Sequence, residues 1–257
     1  MTKRALLAAT NYTGTSNALR GCVSDATRRR DTLILHCGFL EKNIVMLLGP
    51  DATAPNIISV MRQFKTDARD NDETYGLWSG HGSQIPDKRD KDGLGEIICC
   101  DNFDWTSKTM ITDKQIAKWL SGIRGRVFLT PDSCNSGDLT KGIVPADIKS
   151  KFLLNPELQG RTFSKLHKIF APVNVSLQAE LSGCQDYQTS ADIVNAEGIP
   201  CGAFSDAFEY VIRASKYKIT YVELHRQITA RLIKQRFQQR PQLDCSAAMS
   251  TMNVFGV

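Results

Sequence analysis

Two short stretches carry residue types suited to nucleophilic chemistry. Ser79-Gly80-His81-Gly82 sets an imidazole between glycines, and Asp132-Ser133-Cys134-Asn135-Ser136-Gly137 sets a thiol in a polar, glycine-ended turn. A thiolate attacks carbonyl carbons; a neighbouring imidazole can take the thiol proton and later hand it to a leaving amine. Gly80 and Gly82 let the backbone come close to a substrate, and a backbone N–H there can help to bind an oxyanion. Singly these are weak signals: a lone His is commonly a core or solvated residue, and a lone Cys a buried hydrophobe. What favours catalysis is that each follows an apolar run.

Those runs are the elements that must position the two groups. Strand-like segments at 5–10, 44–48, 75–78, 127–130 and 173–181 alternate with helical periodicity at 21–37, 54–70 and 113–120. Thr53 and Asp113 suit an N-cap or first turn, and Pro55 suits the first turn of its helix. Alternating βα units of this length predict a mostly parallel sheet covered by helices on both faces. In such a sheet the carboxyl ends of the strands share one edge, where ligands bind. "YGLW" runs into Ser79 and His81, "VFLTP" into Asp132 and Cys134, and "VSLQAELSG" into Cys184-Gln185-Asp186. A histidine, a cysteine and two acids are thus expected on one edge. His36, His167 and His225 lack such a setting and read as structural or solvated.

Residues 141–168 form a long, basic, weakly patterned connection, a length that marks a functional or disordered loop. Helical patterns follow at 202–215 and 221–238, then a strand near 252–255. The organisation expected is one domain over 1–257 with a basic loop at about 141–170.

Composition narrows the class. With 257 residues, 42% hydrophobic and 23% charged, the chain is long enough for one large α/β domain without covalent staples. A net charge of +5 spread over scattered basic residues argues against nucleic-acid binding. The apolar run at 5–9 is short for a signal peptide, and no segment approaches a membrane span. The eight cysteines show no metal spacing and read as thiols in a reducing compartment, so the expected location is cytoplasmic.

The motifs together resemble the metacaspase and orthocaspase group of caspase-like cysteine peptidases. "ALLAATNY", "LRGCVSDA", "NIVMLLGPDATAPNI", "LWSGHGSQIPD", "DGLGEIICCD", "MITDKQI", "FLTPDSCNSGDL" and "AELSGCQDYQTSAD" match in order, almost end to end. The separation 134 − 81 = 53 is also near the roughly 50 residues between His and Cys in caspase-type enzymes. The resemblance implies a caspase-like three-layer α/β/α sandwich, with Cys134 as nucleophile and His81 as acid/base. It implies an oxyanion hole from the N–H groups of Gly82 and Cys134. It also implies a basic-residue pocket lined by Asp25, Asp132 and Asp186, with Cys22 and Ser79 nearby. Carboxylates converging on a nucleophile suit a cationic side chain, so the expected substrates are peptides or proteins with Arg or Lys before the scissile bond. Arg is expected to be modestly preferred for its planar fork, and basic residues of the 141–168 loop could themselves be cut.

The chain departs from the group's pattern in places. Asn135 stands where His is common, and "EIICCD" lacks the usual proline. Asp113-Lys114 replaces an acid pair of the calcium-binding part, and Lys141 stands near where a further acid is found, with Asp138 close by. Glu96 and Asp113 remain as weak metal candidates; a cation beside them argues against a full calcium site. No cofactor is expected to be required, calcium being the one candidate, and a separate activator protein is compatible with the resemblance. The competing readings are a silent caspase-like module that binds peptides or partners, and another thiol hydrolase such as an amidase.

Overall fold

A computed structural model describes residues 1–90, 93–134, 148–158, 177–184 and 190–256. In chain order the regular elements are β1 (Lys3–Ala9), α1 (Cys22–His36), β2 (Ile44–Leu48), α2 (Ala54–Asp67), β3 (Glu73–Ser79), β4 (Gly82–Pro86), β5 (Leu94–Cys99), β6 (Met110–Thr112), α3 (Asp113–Leu120) and β7 (Arg126–Asp132). They continue with β8 (Lys149–Ser150), β9 (Gln178–Ser182), β10 (Ala191–Val194), β11 (Pro200–Gly202), α4 (Ala203–Ala214), α5 (Tyr221–Lys234), β12 (Gln242–Cys245) and α6 (Ala247–Ser250).

Six strands form the central sheet in the order β12-β9-β7-β3-β1-β2. All neighbours are parallel except β12, which runs antiparallel to β9. Successive side chains on a strand point to opposite faces, and the apolar ones divide accordingly. Ala5, Leu7, Ala9, Tyr75 and Phe128 pack with Leu33 of α1, Phe204 and Phe208 of α4 and Leu224 of α5. Leu6, Ala8, Trp78, Val127 and Leu129 pack with Ile57 and Met61 of α2 and Ile116 and Trp119 of α3. The result is a three-layer α/β/α arrangement, α1, α4 and α5 on one face and α2 and α3 on the other.

Local chemistry sets the helix starts. Thr53 accepts from the Asn56 N–H with Pro55 in the first turn of α2, and Thr112 and Gln115 form a capping box ahead of Asp113 on α3. Three sequence expectations change. The residues near 252–255 are not a strand: Val254–Gly256 is a 3₁₀ turn whose Val254 and Phe255 are buried, so the apolar pattern reflects core packing. The last strand is β12 instead. Residues 82–112 hold an unforeseen antiparallel sheet, β4-β5-β6, and Lys149–Ser150 is a strand inside what reads as an unpatterned loop. The segment expected as a strand over 173–181 is described only from 177 on, where β9 occupies 178–182.

Candidate active site

β3 and β7 are paired neighbours, and their register sets Ser79 opposite Asp132 at the carboxyl edge. His81 follows β3 by two residues and Cys134 follows β7 by two, so both leave the sheet on that edge.

His81 is buried and held from two sides. Its Nε2 lies 2.8 Å from the Asn17 carbonyl oxygen. A carbonyl only accepts, so Nε2 carries the hydrogen, and in the neutral ring Nδ1 keeps the lone pair. Nδ1 is buried with no hydrogen-bond partner among the described residues. The His81 N–H donates to the Tyr12 hydroxyl at 2.8 Å, and that hydroxyl donates to the Cys99 carbonyl at 2.5 Å. Gly80 is needed here, because a Cβ would lie 2.8 Å from the Tyr12 hydroxyl and 2.6 Å from the Trp78 ring. Burial pushes the imidazole down, to about 4, against the Asn17 hydrogen bond and with the help of the Lys151 and Lys149 charges.

The Cys134 side chain is wholly buried. Its Sγ accepts the Ser190 N–H and lies 3.2 Å from the Cys184 Sγ. The backbone N–H groups of Gly82 and Cys134 converge on one atom, the Lys151 carbonyl oxygen, at 3.0 and 3.2 Å.

The Lys151 side chain runs into the acidic pocket. Its Nζ lies 3.1 Å from Asp25, 3.0 Å from Asp132 and 2.9 Å from the Ser79 hydroxyl, and none of the side chain is exposed. Both carboxylates are also held by protein donors. Asp25 accepts from the Ser79 hydroxyl at 2.8 Å and from the Gly202 N–H at 2.9 Å. Asp132 accepts from the hydroxyls of Ser190 and Ser205, each at 2.6 Å. Gly202 has to be glycine, since a Cβ would sit 2.0 Å from Asp132 Oδ2 and 2.5 Å from Lys151 Nζ. Burial raises the Asp25 carboxyl to about 6 against the opposing pull of Lys151, with Asp132 adding to the rise. Burial alone would depress the Lys151 ammonium; Asp132 and Asp25 overcome it and hold the group well above its ordinary value. Cys22 is buried beside this pocket, and burial pushes its thiol up to about 12.

The backbone around Lys151 is extended through the same cleft. β8 pairs antiparallel with β10, and the Lys151 N–H donates to the Ser190 carbonyl at 3.0 Å. On the other side, Phe152 bridges to Gly82, and the Leu153 N–H donates to the Gly82 carbonyl at 3.0 Å. Phe152 packs on Cys134, Cys184 and Leu154. Main-chain pairing on both sides, with one side chain in a pocket, is how an extended peptide is recognised by strand addition.

Of the residues singled out by sequence, the structure gathers Cys22, Asp25, Ser79, Gly82, Asp132 and Cys134 around Lys151, with His81 on the same edge. Asp186 lies outside the described residues, as do His167, Asn135, Asp138, Lys141 and most of the 141–168 loop. His36 stacks on Tyr217 at 4.1 Å and His225 bonds the Pro241 carbonyl at 3.0 Å, both structural settings. Sequence reasoning missed Asn17, Tyr12, Ser190, Gly202 and Ser205, and counted Lys151 only as one loop cation. Ser190 sits inside the quoted "AELSGCQDYQTSAD" stretch and Tyr12 ends the quoted "ALLAATNY"; Asn17, Gly202 and Ser205 carry no local signal.

The two weak metal candidates lie on different elements. Glu96 is buried on β5, opposite Gln84 of β4. Asp113 begins α3, its carboxyl raised by burial against the adjacent Lys114. The Lys114 ammonium bonds Asp87 at 2.7 Å and also Asp90, so a cation of the protein's own stands among these acids. Among the described residues no group of three or more His, Cys, Asp or Glu is placed to hold a metal.

A parallel-sheet edge carrying His and Cys on paired strands, with two N–H groups aimed at one carbonyl oxygen, defines the class of caspase-like α/β thiol hydrolases. Comparison with known proteins narrows this. Residues 3–141 match the family model of the metacaspase peptidase C14 domain. Metacaspase-1 of Kluyveromyces lactis is 29% identical over 97% of this chain and 67% of its own length. Metacaspase-1 of Cryptococcus neoformans is 31% identical over 98% of this chain and 64% of its own. A crystal structure of a Geobacter sulfurreducens protein shares the fold with a TM-score of 0.75 at 24% identity, covering 100% of this chain and 99% of that one. The chain belongs to the metacaspase C14 family, and is thereby a cysteine-type endopeptidase acting on peptides or proteins.

Proposed function

We propose that the chain cleaves peptide bonds after Lys or Arg through a Cys134–His81 pair. The observation that carries this is Lys151: its side chain is clasped by Asp25, Asp132 and Ser79 while its carbonyl oxygen receives the Gly82 and Cys134 N–H groups. That is the posture a substrate's basic residue would need. His81 Nδ1 takes the Cys134 proton, and the thiolate attacks the carbonyl carbon. The resulting oxyanion stays on the Gly82 and Cys134 donors. Nδ1–H then protonates the leaving amine, and water, activated by the same nitrogen, hydrolyses the thioester. An Asp side chain would bring a third negative charge between two buried carboxylates, a mismatch costing several kcal/mol, on the order of other like-charge juxtapositions. A panel of fluorogenic peptides carrying Arg, Lys, Asp or a neutral residue before the scissile bond, run with wild type and Cys134→Ala, tests the reading. Turnover of Asp peptides as fast as Arg and Lys peptides would sink it.

Because Lys151 fills the pocket, we read the resting form as self-occupied, with Lys151–Phe152 the bond in register for self-cleavage. The Lys114 ammonium between Asp87 and Asp90 supports activity without calcium. No described helix is long and apolar enough to cross a membrane; a cytoplasmic setting and a separate activator that lifts the segment belong to the same proposal.

A further inference from the structure

One thiol beside the nucleophile has no part in the hydrolytic steps. Cys184 follows β9 by two residues, as Cys134 follows β7 by two, and β7 and β9 are paired neighbours. The Gly183 N–H donates to the Pro131 carbonyl at 2.9 Å, tying the two strand ends together just ahead of the sulfurs. The Cys184 Sγ is 3.2 Å from the Cys134 Sγ, and its S–H also faces the Ser133 carbonyl at 3.7 Å. A disulfide needs about 2.05 Å between sulfurs. The remaining approach is a little over 1 Å. Both thiols are buried beneath Phe152, so an oxidant reaches them when the 149–153 segment lifts.

We propose that Cys134 and Cys184 form a two-cysteine peroxide-modification site that closes reversibly to a disulfide. The Cys134 thiolate attacks hydrogen peroxide: an S–O bond forms, the O–O bond breaks, and the leaving hydroxide takes up the proton that Cys134 released and departs as water, as the sulfur is oxidised by two electrons to the sulfenic acid. The Cys184 sulfur then attacks that sulfur. The S–S bond forms, the S–O bond breaks, and the departing hydroxide takes the Cys184 proton as water. The balance is two thiols and one peroxide to one disulfide and two waters. A dithiol reductant restores both thiols by exchange. The site would silence the peptidase under peroxide and shield its sulfur from irreversible oxidation to the sulfinic acid. That consequence rests on Cys134 being the nucleophile; the disulfide itself does not.

The test treats the full chain with hydrogen peroxide over a time course and maps peptides without reduction. A linked Cys134–Cys184 peptide is expected in wild type. Activity on a Lys or Arg peptide is then read, relative to each untreated protein, before and after dithiothreitol. Wild type should recover fully, whereas Cys184→Ala and Cys184→Ser should stay inactive and carry Cys134 as sulfinic or sulfonic acid. Absence of the linked peptide overturns the proposal, as does equal recovery of wild type and both variants. The mapping arm needs no peptidase activity, so its outcome is separate from that of the proposed cleavage specificity.

Discussion

His81 has one nitrogen facing the Asn17 carbonyl and the other buried with no hydrogen-bond partner among the described residues. On the proposed reading this asymmetry makes Nδ1 the base, and it depends on a backbone carbonyl rather than on a third acid. Replacing His81 by Ala should therefore cost the ~10²–10⁴-fold of a lost acid–base group, and Cys134→Ala should leave only background hydrolysis; steady-state rates on a Lys peptide check both. The ring's depression to about 4 belongs to the filled cleft, since Lys151 and Lys149 contribute to it along with burial. Once the segment lifts, water enters and both cations withdraw, so the acid limb of kcat/KM should lie above 4, towards the ordinary value of about 6.5. Asp25 gives a second pH signature. At about 6 with Lys151 in place, it gains a proton as the pH falls through that value, and the pocket loses charge. KM for Lys and Arg peptides should rise between pH 7.5 and 5, and Asp25→Asn should flatten that rise; a slope unchanged in the variant would refute Asp25 as its source.

At the scale of elements, the pocket depends on how α1 is locked to the sheet and to α4. The Arg29 guanidinium of α1 is wholly buried, bonded to Glu209 of α4 at 2.5 Å and to Tyr75 of β3, with its carbon 3.5 Å from the Phe208 ring centroid. Glu209 also accepts from the Thr32 hydroxyl at 2.6 Å. Asp25 lies one turn before Arg29, so this clasp sets the helix that carries the pocket acid. Glu209→Ala would strand a buried cation and should destabilise the protein by about 3–5 kcal/mol, measured by urea unfolding in the Cys134→Ala background. Replacing Arg29 and Glu209 together by Met and Leu should cost less, because no charge is left alone. At the mouth of α4, Gly202→Ala should abolish cleavage of Lys peptides with the fold retained, as the added carbon has no room beside Asp132 and Lys151.

At the scale of the whole molecule, one strand of the chain lies across its own cleft with a lysine in the pocket. Intact-mass measurement after incubation should find wild type cut between Lys151 and Phe152 and Cys134→Ala whole. If the cut is made in cis, its rate should not change on dilution. Identical single-chain masses for the two proteins would refute self-cleavage at this bond. A chelator such as EDTA should leave both the cut and peptide turnover unchanged, because Lys114 supplies the positive charge that a metal would otherwise bring to Asp87 and Asp90. Loss of activity on chelation, restored by millimolar calcium, would overturn that expectation.

Strand and helix periodicity, read along the chain, placed β2 and α3 at their observed bounds and located His81 and Cys134 past the ends of β3 and β7, because a period of 2 or 3.6 is a local property of side-chain order. The same local reasoning failed at Val254 and Phe255, where apolar residues fill the core from a turn, and at β4-β5-β6, whose strands mix polar and apolar residues. That Asp25 and Asp132 share a pocket is an expectation of chain order and resemblance, but their meeting on Lys151 depends on α1 packing over the sheet edge. Lys151 was beyond reach of sequence altogether. Lys149 and Lys151 are chemically alike and two residues apart, and only the register of β8 on β10 decides which one faces the acids. The Cys134–Cys184 contact has the same origin: two thiols 50 positions apart become neighbours because β7 and β9 pair in parallel and end together.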